Sequence, residues 1–233
     1  MDMSEARTKG RMGAIPIGEV RLGDLAGRTE PVSAVYGCDR GRAIDRYYIE
    51  AFLERHRADV RGRVLEVGER TYTQRYGGDG VTKSDIVHVH DVPEATIVAD
   101  LARADGIADA SFDCLLLTQT LHLIYDMPAA MRELHRILSP GGTVLATVPG
   151  ISQIDRLTWG EAWCWTLSRT SATRLFAEAF GPGNVQVEVH GNVLAATSFL
   201  YGLSVEEVDT ADLDVSDPCY PVTIAVRAVK GTR

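Results

Sequence analysis

Residues 111–120, SFDCLLLTQT, constrain the fold more tightly than any other segment, because positions 114–117 are an unbroken apolar run. A strand with one face in water alternates apolar and polar residues, whereas a strand apolar on both faces needs cover on two sides. The stable solution is a largely parallel sheet with helices packed on each face. The rest of the chain has to supply those neighbours.

It supplies them in alternation. RVLEV at 63–67, SDIVHVH at 84–90, and residues 96–98, 143–148, 184–189 and 222–229 read as further strands. Helical spacing from residue 43 onward places Ile44, Tyr47, Tyr48, Ala51, Phe52 and Arg55 on one side, with a stop near Asp59 before Gly62. A second helix over 126–137 turns Met131, Leu134, Ile137 and Leu138 inward, and Pro140, Gly141 and Gly142 follow as a sharp turn. A third helix over 168–180 ends where Gly181, Pro182 and Gly183 cannot continue it. The predicted class is therefore α/β: a mostly parallel seven-stranded sheet with helices on both faces and an antiparallel edge hairpin. Residues 1–42 read as an N-terminal arm and cap, in which 15–17 and 20–22 could form a loose strand. Residues 43–229 read as one domain, with a Trp-rich lid at 150–167 and a helical insertion at 193–208.

Charge narrows the partners. The formal charge is -8, and it is uneven: residues 1–63 carry 12 basic and 10 acidic side chains, the remainder 12 and 22. An acidic body repels a nucleic-acid backbone unless a basic patch overrides the field, and the early arginines alternate with acids. No nucleic-acid partner is expected. The four cysteines, at 38, 114, 164 and 219, have neither disulfide-scaffold nor metal-site spacing, and His88 and His90 lack nearby carboxylate or thiolate ligands, so no metal is expected. The opening MDMSEARTKGRMG lacks a signal-peptide core and no run reaches membrane-spanning length, which predicts a cytoplasmic protein with no membrane partner, a monomer or homodimer.

The chemistry concentrates at strand ends. In VLEVG, residues 64–68, a buried strand closes on an acid and a glycine, which either supports a ligand beyond the strand or is simply a charged strand end and a turn. The following Glu69, Arg70, Thr71 and Tyr72 include no second or third glycine, so the loop is a poor dinucleotide fingerprint and suits a cofactor without phosphate better.

On these residues the chain resembles the class I S-adenosylmethionine-dependent methyltransferases, in the small-molecule branch called methyltransferase type 11. VLEVG is similar to the first motif. The stretch VADLARADGIADASFDCLLLTQTLHLIYDMPAAMRELHRILSPGGTVLATVP resembles the central part, and the resemblance covers roughly residues 43–229. It implies a Rossmann-like sheet and S-adenosyl-L-methionine as cofactor. It also implies that Glu66 and Gly68 contact or shape its methionine end, Asp91 grips the ribose hydroxyls, Asp100 accepts from the adenine amino group with Leu101 against the ring, and Thr118 and Gln119 lie beside the sulfonium. The reduction of the usual glycine-rich loop to Gly68 is a departure from the family. That departure leaves open a reshaped pocket or a noncatalytic protein that kept the sheet for regulation or partner binding.

The resemblance further implies a small-molecule acceptor, methylated on a hydroxyl or amino group and exemplified by a sugar, an aminocyclitol or a secondary metabolite. His122, Tyr47 and Asp45 are the candidate catalytic groups, with core packing as the competing role for His122 and Tyr47. Arg40, Trp159, Trp163 and Trp165 are the candidate acceptor contacts. All three tryptophans fall within seven residues, a spacing that also suits a short helix packed on the body.

Overall fold

The computed structural model describes residues 16–18 and 22–232. The loose strand expected at 15–17 and 20–22 lies mostly outside the described residues, and Leu22–Leu25 is a short 3-10 turn.

The central run behaves as its composition demands. Strand β4 (Phe112–Thr118) sends Leu115 and Leu117 into one core with Met131, Leu134 and Phe176, and Cys114 and Leu116 into another with Ile49, Phe52 and Leu53. Each fully buried aliphatic or aromatic side chain contributes about 1.5–3 kcal/mol, so the two apolar layers on opposite faces of β4 fix it at the centre. Around it lie β1 (Gly62–Val67), β2 (Val81–His88), β3 (Ile97–Val98), β5 (Leu138–Pro149), β6 (Val185–His190) and β7 (Thr223–Val229). Their order is β3-β2-β1-β4-β5-β7-β6. The pairs from β3 through β5 are parallel, and β7 is antiparallel to both its neighbours. The seven-stranded α/β sheet with an antiparallel edge is thus as the sequence predicts.

Helix α1 (Ile44–Arg55) and the short α2 (Thr71–Tyr76) cover one face, while α3 (Met127–Ile137) and α4 (Arg169–Phe180) cover the other. The α1 face differs from the sequence expectation. Ile49 and Leu53 are buried, whereas Tyr47 and Ala51 are half-buried and Arg55 is exposed. The helix is wedged between the sheet and a cap, so a single-stripe reading rotates the inner face. The cap consists of α5 (Val193–Tyr201) and α6 (Thr210–Leu213), separated by a 3-10 turn, where the sequence suggested one excursion. Ala195, Ala196 and Phe199 pack there on Ile44 and Tyr48. Pro140, Gly141 and Gly142 turn the chain without ending the strand: Gly141 takes φ +77° and the register against β4 shifts between Phe112 and Cys114, while Gly141 N–H donates to Lys230 O and Lys230 N–H to Gly142 O.

The arm is stitched to this cap. Val32 and Ser33 N–H groups both donate to Tyr201 O, and Ala43 pairs with Ser204. Gly202 ends α5 with φ +72°, and a Cβ there would lie 2.2 Å from Ser33 O. Gly202→Ala is expected to lower unfolding free energy by at least about 1–2 kcal/mol, the cost of left-handed backbone alone, in urea denaturation. A loss below half of that would mean the arm is not seated on the cap.

Candidate functional site

The strand order reverses at β1. The chain leaves β1 toward β2 and β3, then returns to β4 on its other side, and ligands of open α/β sheets sit beyond the carboxyl ends at such a reversal. Gly68 stands there with φ +82°, and a Cβ built on it would meet nothing within 4 Å. Its N–H donates to Val87 O at 3.0 Å. Two strands along, Ala99 N–H donates to His88 O and Asp100 follows. Gly68 and Asp100 therefore leave the same edge, roughly 10 Å apart at two strand spacings, the scale of one nucleoside.

Glu66 builds the floor. Its buried carboxylate accepts from Tyr72 N–H (3.0 Å), Thr73 N–H (2.8 Å) and Thr73 Oγ1–H (2.7 Å). Burial raises its pKa and the bonds from Thr73 pull it back, with burial prevailing. Glu66 thus fixes the start of α2 and shapes the loop. Tyr72, which crowds the loop in the sequence, is turned into the core against Tyr76 and leaves Gly68 clear. An open glycine on a firmly held loop fits a cofactor that needs close backbone approach and carries no phosphate.

On the other side of β1, Gln119 follows β4 with φ +47°. Its Nε2 lies 3.5 Å from Asp45 Oδ2 in the first turn of α1. Asp45 is 8% exposed, and burial raises its pKa against the lowering effect of Arg46. The Tyr36 phenol sits in the same field: burial, Asp155 and Asp45 all raise its pKa. Asp155 in turn accepts from the N–H groups of Leu157, Thr158 and Trp159, which shapes the Trp segment, and Gln153 ties that segment to the arm through Ala34 O at 3.0 Å.

Residues 61–146 match the family described as a methyltransferase domain, methyltransferase type 11. That stretch, from β1 into β5, is similar to a methyltransferase domain. The solved structures the chain resembles agree in fold. A SAM-dependent methyltransferase from Archaeoglobus fulgidus shares 11% identity at TM-score 0.52, over 79% of this chain and 94% of that one. One from Mesorhizobium loti shares 16% at TM-score 0.50, over 81% and 98%. The 4+2 cyclase SpnF shares 16% at TM-score 0.51, over 82% and 83%. No curated protein matches in sequence.

The sequence-predicted residues divide. Glu66, Gly68, Asp100, Thr118, Gln119 and Asp45 reach the carboxyl edge. Asp91 lies there too, but in an exposed loop three residues past the end of β2, where His88 stands. Leu101 does not present a free face: it is buried in the core cluster that holds Leu65, Val87 and Ile107. Arg40 is committed to Glu207, donating from Nε at 2.9 Å and also from Nη2, and so braces the arm against the cap. Tyr47 donates to Asp214 Oδ1 at 2.7 Å and lines a separate hollow of about 150 Å3 beside His190.

His122 is buried, its ring 4.2 Å from that of Trp163, and burial pushes its pKa down to about 4, so it is neutral at pH 7. Trp159 approaches His88 at 6.0 Å, whereas Trp165 stacks on the exposed Tyr125. The Trp segment forms only a 3-10 turn, Gly160–Ala162, because Asp155 draws the preceding N–H groups out of helical bonding. Arg46, which bonds Tyr72 and acts on Asp45 by its charge, carries no distinguishing signal in the sequence, being one arginine among many alternating charges.

Glu207 gives a pH test of the roof. Burial raises its pKa, but Arg40 and the N–H groups of Ser204 and Gly18 overcome this and hold it at about 2. A carboxylate depressed in the folded state stabilises above its ordinary value of 4.5 and loses that contribution as pH falls toward 2. Proteolysis within residues 16–42 is expected to rise across that window in the parent. In Glu207→Gln it should already be raised at pH 7.

Proposed function

We propose that S-adenosylmethionine lies across the carboxyl ends of β1, β2 and β3, and that the acceptor is a small molecule bound beneath the arm and the Trp segment. The observation that carries this reading is the open Gly68 beside a Glu66-clamped loop, on the same edge as Asp100. Gly68 offers its backbone to the methionine end, Glu66 acts through the loop it holds, and Asp91 and Asp100 supply acceptor oxygens for the ribose hydroxyls and the adenine amino group. Thr118 and Gln119 stand beside the reacting centre. Leu101 supports the adenine end from within the core.

The cofactor supplies a methyl already activated on a positively charged sulfur. What remains for the protein is alignment and exclusion of competing water. Trp159 and Trp163 provide flat apolar surface on the acceptor side, and Asp45, buried at the first turn of α1, is the group placed to receive a proton. His122, neutral and packed on Trp163, positions that ring. The acceptor carries a hydroxyl or amino group on a compound such as a sugar, an aminocyclitol or a secondary metabolite. The acidic body and the absence of a broad basic patch after residue 63 support a small acceptor over a nucleic acid.

Calorimetric titration tests the cofactor reading. S-adenosylmethionine is expected to bind the parent, and Asp100→Ala to weaken it about tenfold, 1.4 kcal/mol, with an unchanged far-UV spectrum. Equal affinity would remove Asp100 from the site; no binding to the folded parent would favour a noncatalytic role for the sheet.

A further inference from the structure

Besides His122 Nδ1 and Trp163 Nε1 at the Trp segment, two buried polar atoms at this edge lack a partner among the described residues: Asp45 Oδ1 and Gln119 Oε1. Both are acceptors, and their side chains already approach each other through Asp45 Oδ2 and Gln119 Nε2. An unmatched buried acceptor is costly, so a pair in one place is best answered by a group that donates more than once.

Backbone strain points to the same spot. Tyr36 (φ +63°) and Gln119 (φ +47°) are two of the four non-glycine residues at positive φ among the described residues, and both belong to the surroundings of Asp45. Such a conformation is disfavoured and persists where surrounding structure imposes it, commonly at functional sites. Here it sets the Gln119 amide, at the end of β4, against the Asp45 carboxylate, while the Tyr36 ring stacks on Phe199 within the field of that carboxylate.

Charge then selects the ligand. Asp45 and Asp155 both act on the Tyr36 phenol, while Arg46 is the opposing cation and is shared with Tyr72. Two carboxylates against one guanidinium favour a positive group. A hydroxyl has a single proton to donate and no charge. An amine offers two or three N–H donors and becomes positively charged during methyl transfer.

We propose that the acceptor is a small primary or secondary amine whose nitrogen is held by Asp45 and Gln119. The inference rests on the methyl-transfer reading of this edge and narrows its acceptor from hydroxyl or amine to amine. The lone pair of the neutral amine forms the new N–CH3 bond as the S–CH3 bond breaks, and the electrons of that bond pass to sulfur. The nitrogen becomes cationic, and its proton passes to the Asp45 carboxylate and from there to solvent.

Benzylamine and benzyl alcohol, matched in shape, discriminate the two chemistries. The intact protein is first saturated with S-adenosylhomocysteine and then titrated with each in a calorimeter. Benzylamine is expected to bind at least about tenfold tighter, 1.4 kcal/mol. Asp45→Asn should erase that preference without altering affinity for S-adenosylhomocysteine. Gln119→Met, which removes the second oxygen, should reduce the preference should the first variant fold poorly. Equal binding of the two probes, no binding of either, or a preference that survives both variants would overturn the proposal and leave water as the partner of these oxygens. Failure of S-adenosylhomocysteine itself to bind would instead sink the cofactor reading on which the proposal stands.

Discussion

The two-sided burial of β4 is the constraint from which the rest of the molecule follows. A strand with leucine on both faces cannot lie at a surface, so helices must cover it above and below. Parallel strands joined through those helices bring their carboxyl ends to one edge. Because the chain goes outward from β1 before returning at β4, a crevice opens beside β1 without any residue having been chosen to make it. The candidate site residues gather along that edge.

Around that crevice the polar groups serve two different ends. Glu66 is saturated: three donors meet its carboxylate, and it holds α2 in place. Arg40 and Glu207 are likewise satisfied by each other and by the arm and cap they join. Asp45 and Gln119 are not, and they sit where arm, α1, β4 and Trp segment meet. Satisfied networks keep a scaffold in one arrangement, whereas a buried atom left unmatched is costly and marks a place where a further group belongs.

The SpnF likeness, at 16% identity, bears on the fold alone, and that protein's own description as a cyclase shows that this sheet hosts more than one chemistry. The sheet alone therefore does not fix the reaction, which depends on the residues set over its carboxyl edge. In this chain the roof is built from the arm, the α5–α6 cap and residues 150–167, outside the matched residues 61–146.

The sequence by itself determined the sheet. Apolar runs at 64–67, 114–117 and 143–148 and the helical spacing between them are local patterns, and burial acts on each without reference to distant residues. It also gave Gly68 and Asp100 their places, since both follow directly from strand ends. The tertiary structure decided which side chains are free. Nothing local distinguishes Arg40, locked to Glu207 across 167 positions, from Arg46 beside Asp45, and nothing local turns Tyr72 inward or Leu101 into the core. Those outcomes depend on partners far away in the chain, because hydrogen bonding and desolvation are settled only when the layers close. Gln119 shows the limit most clearly: its left-handed backbone is disfavoured locally and is held by Thr147 of β5, whose O accepts its N–H, and by Asp45 of α1 against its side chain.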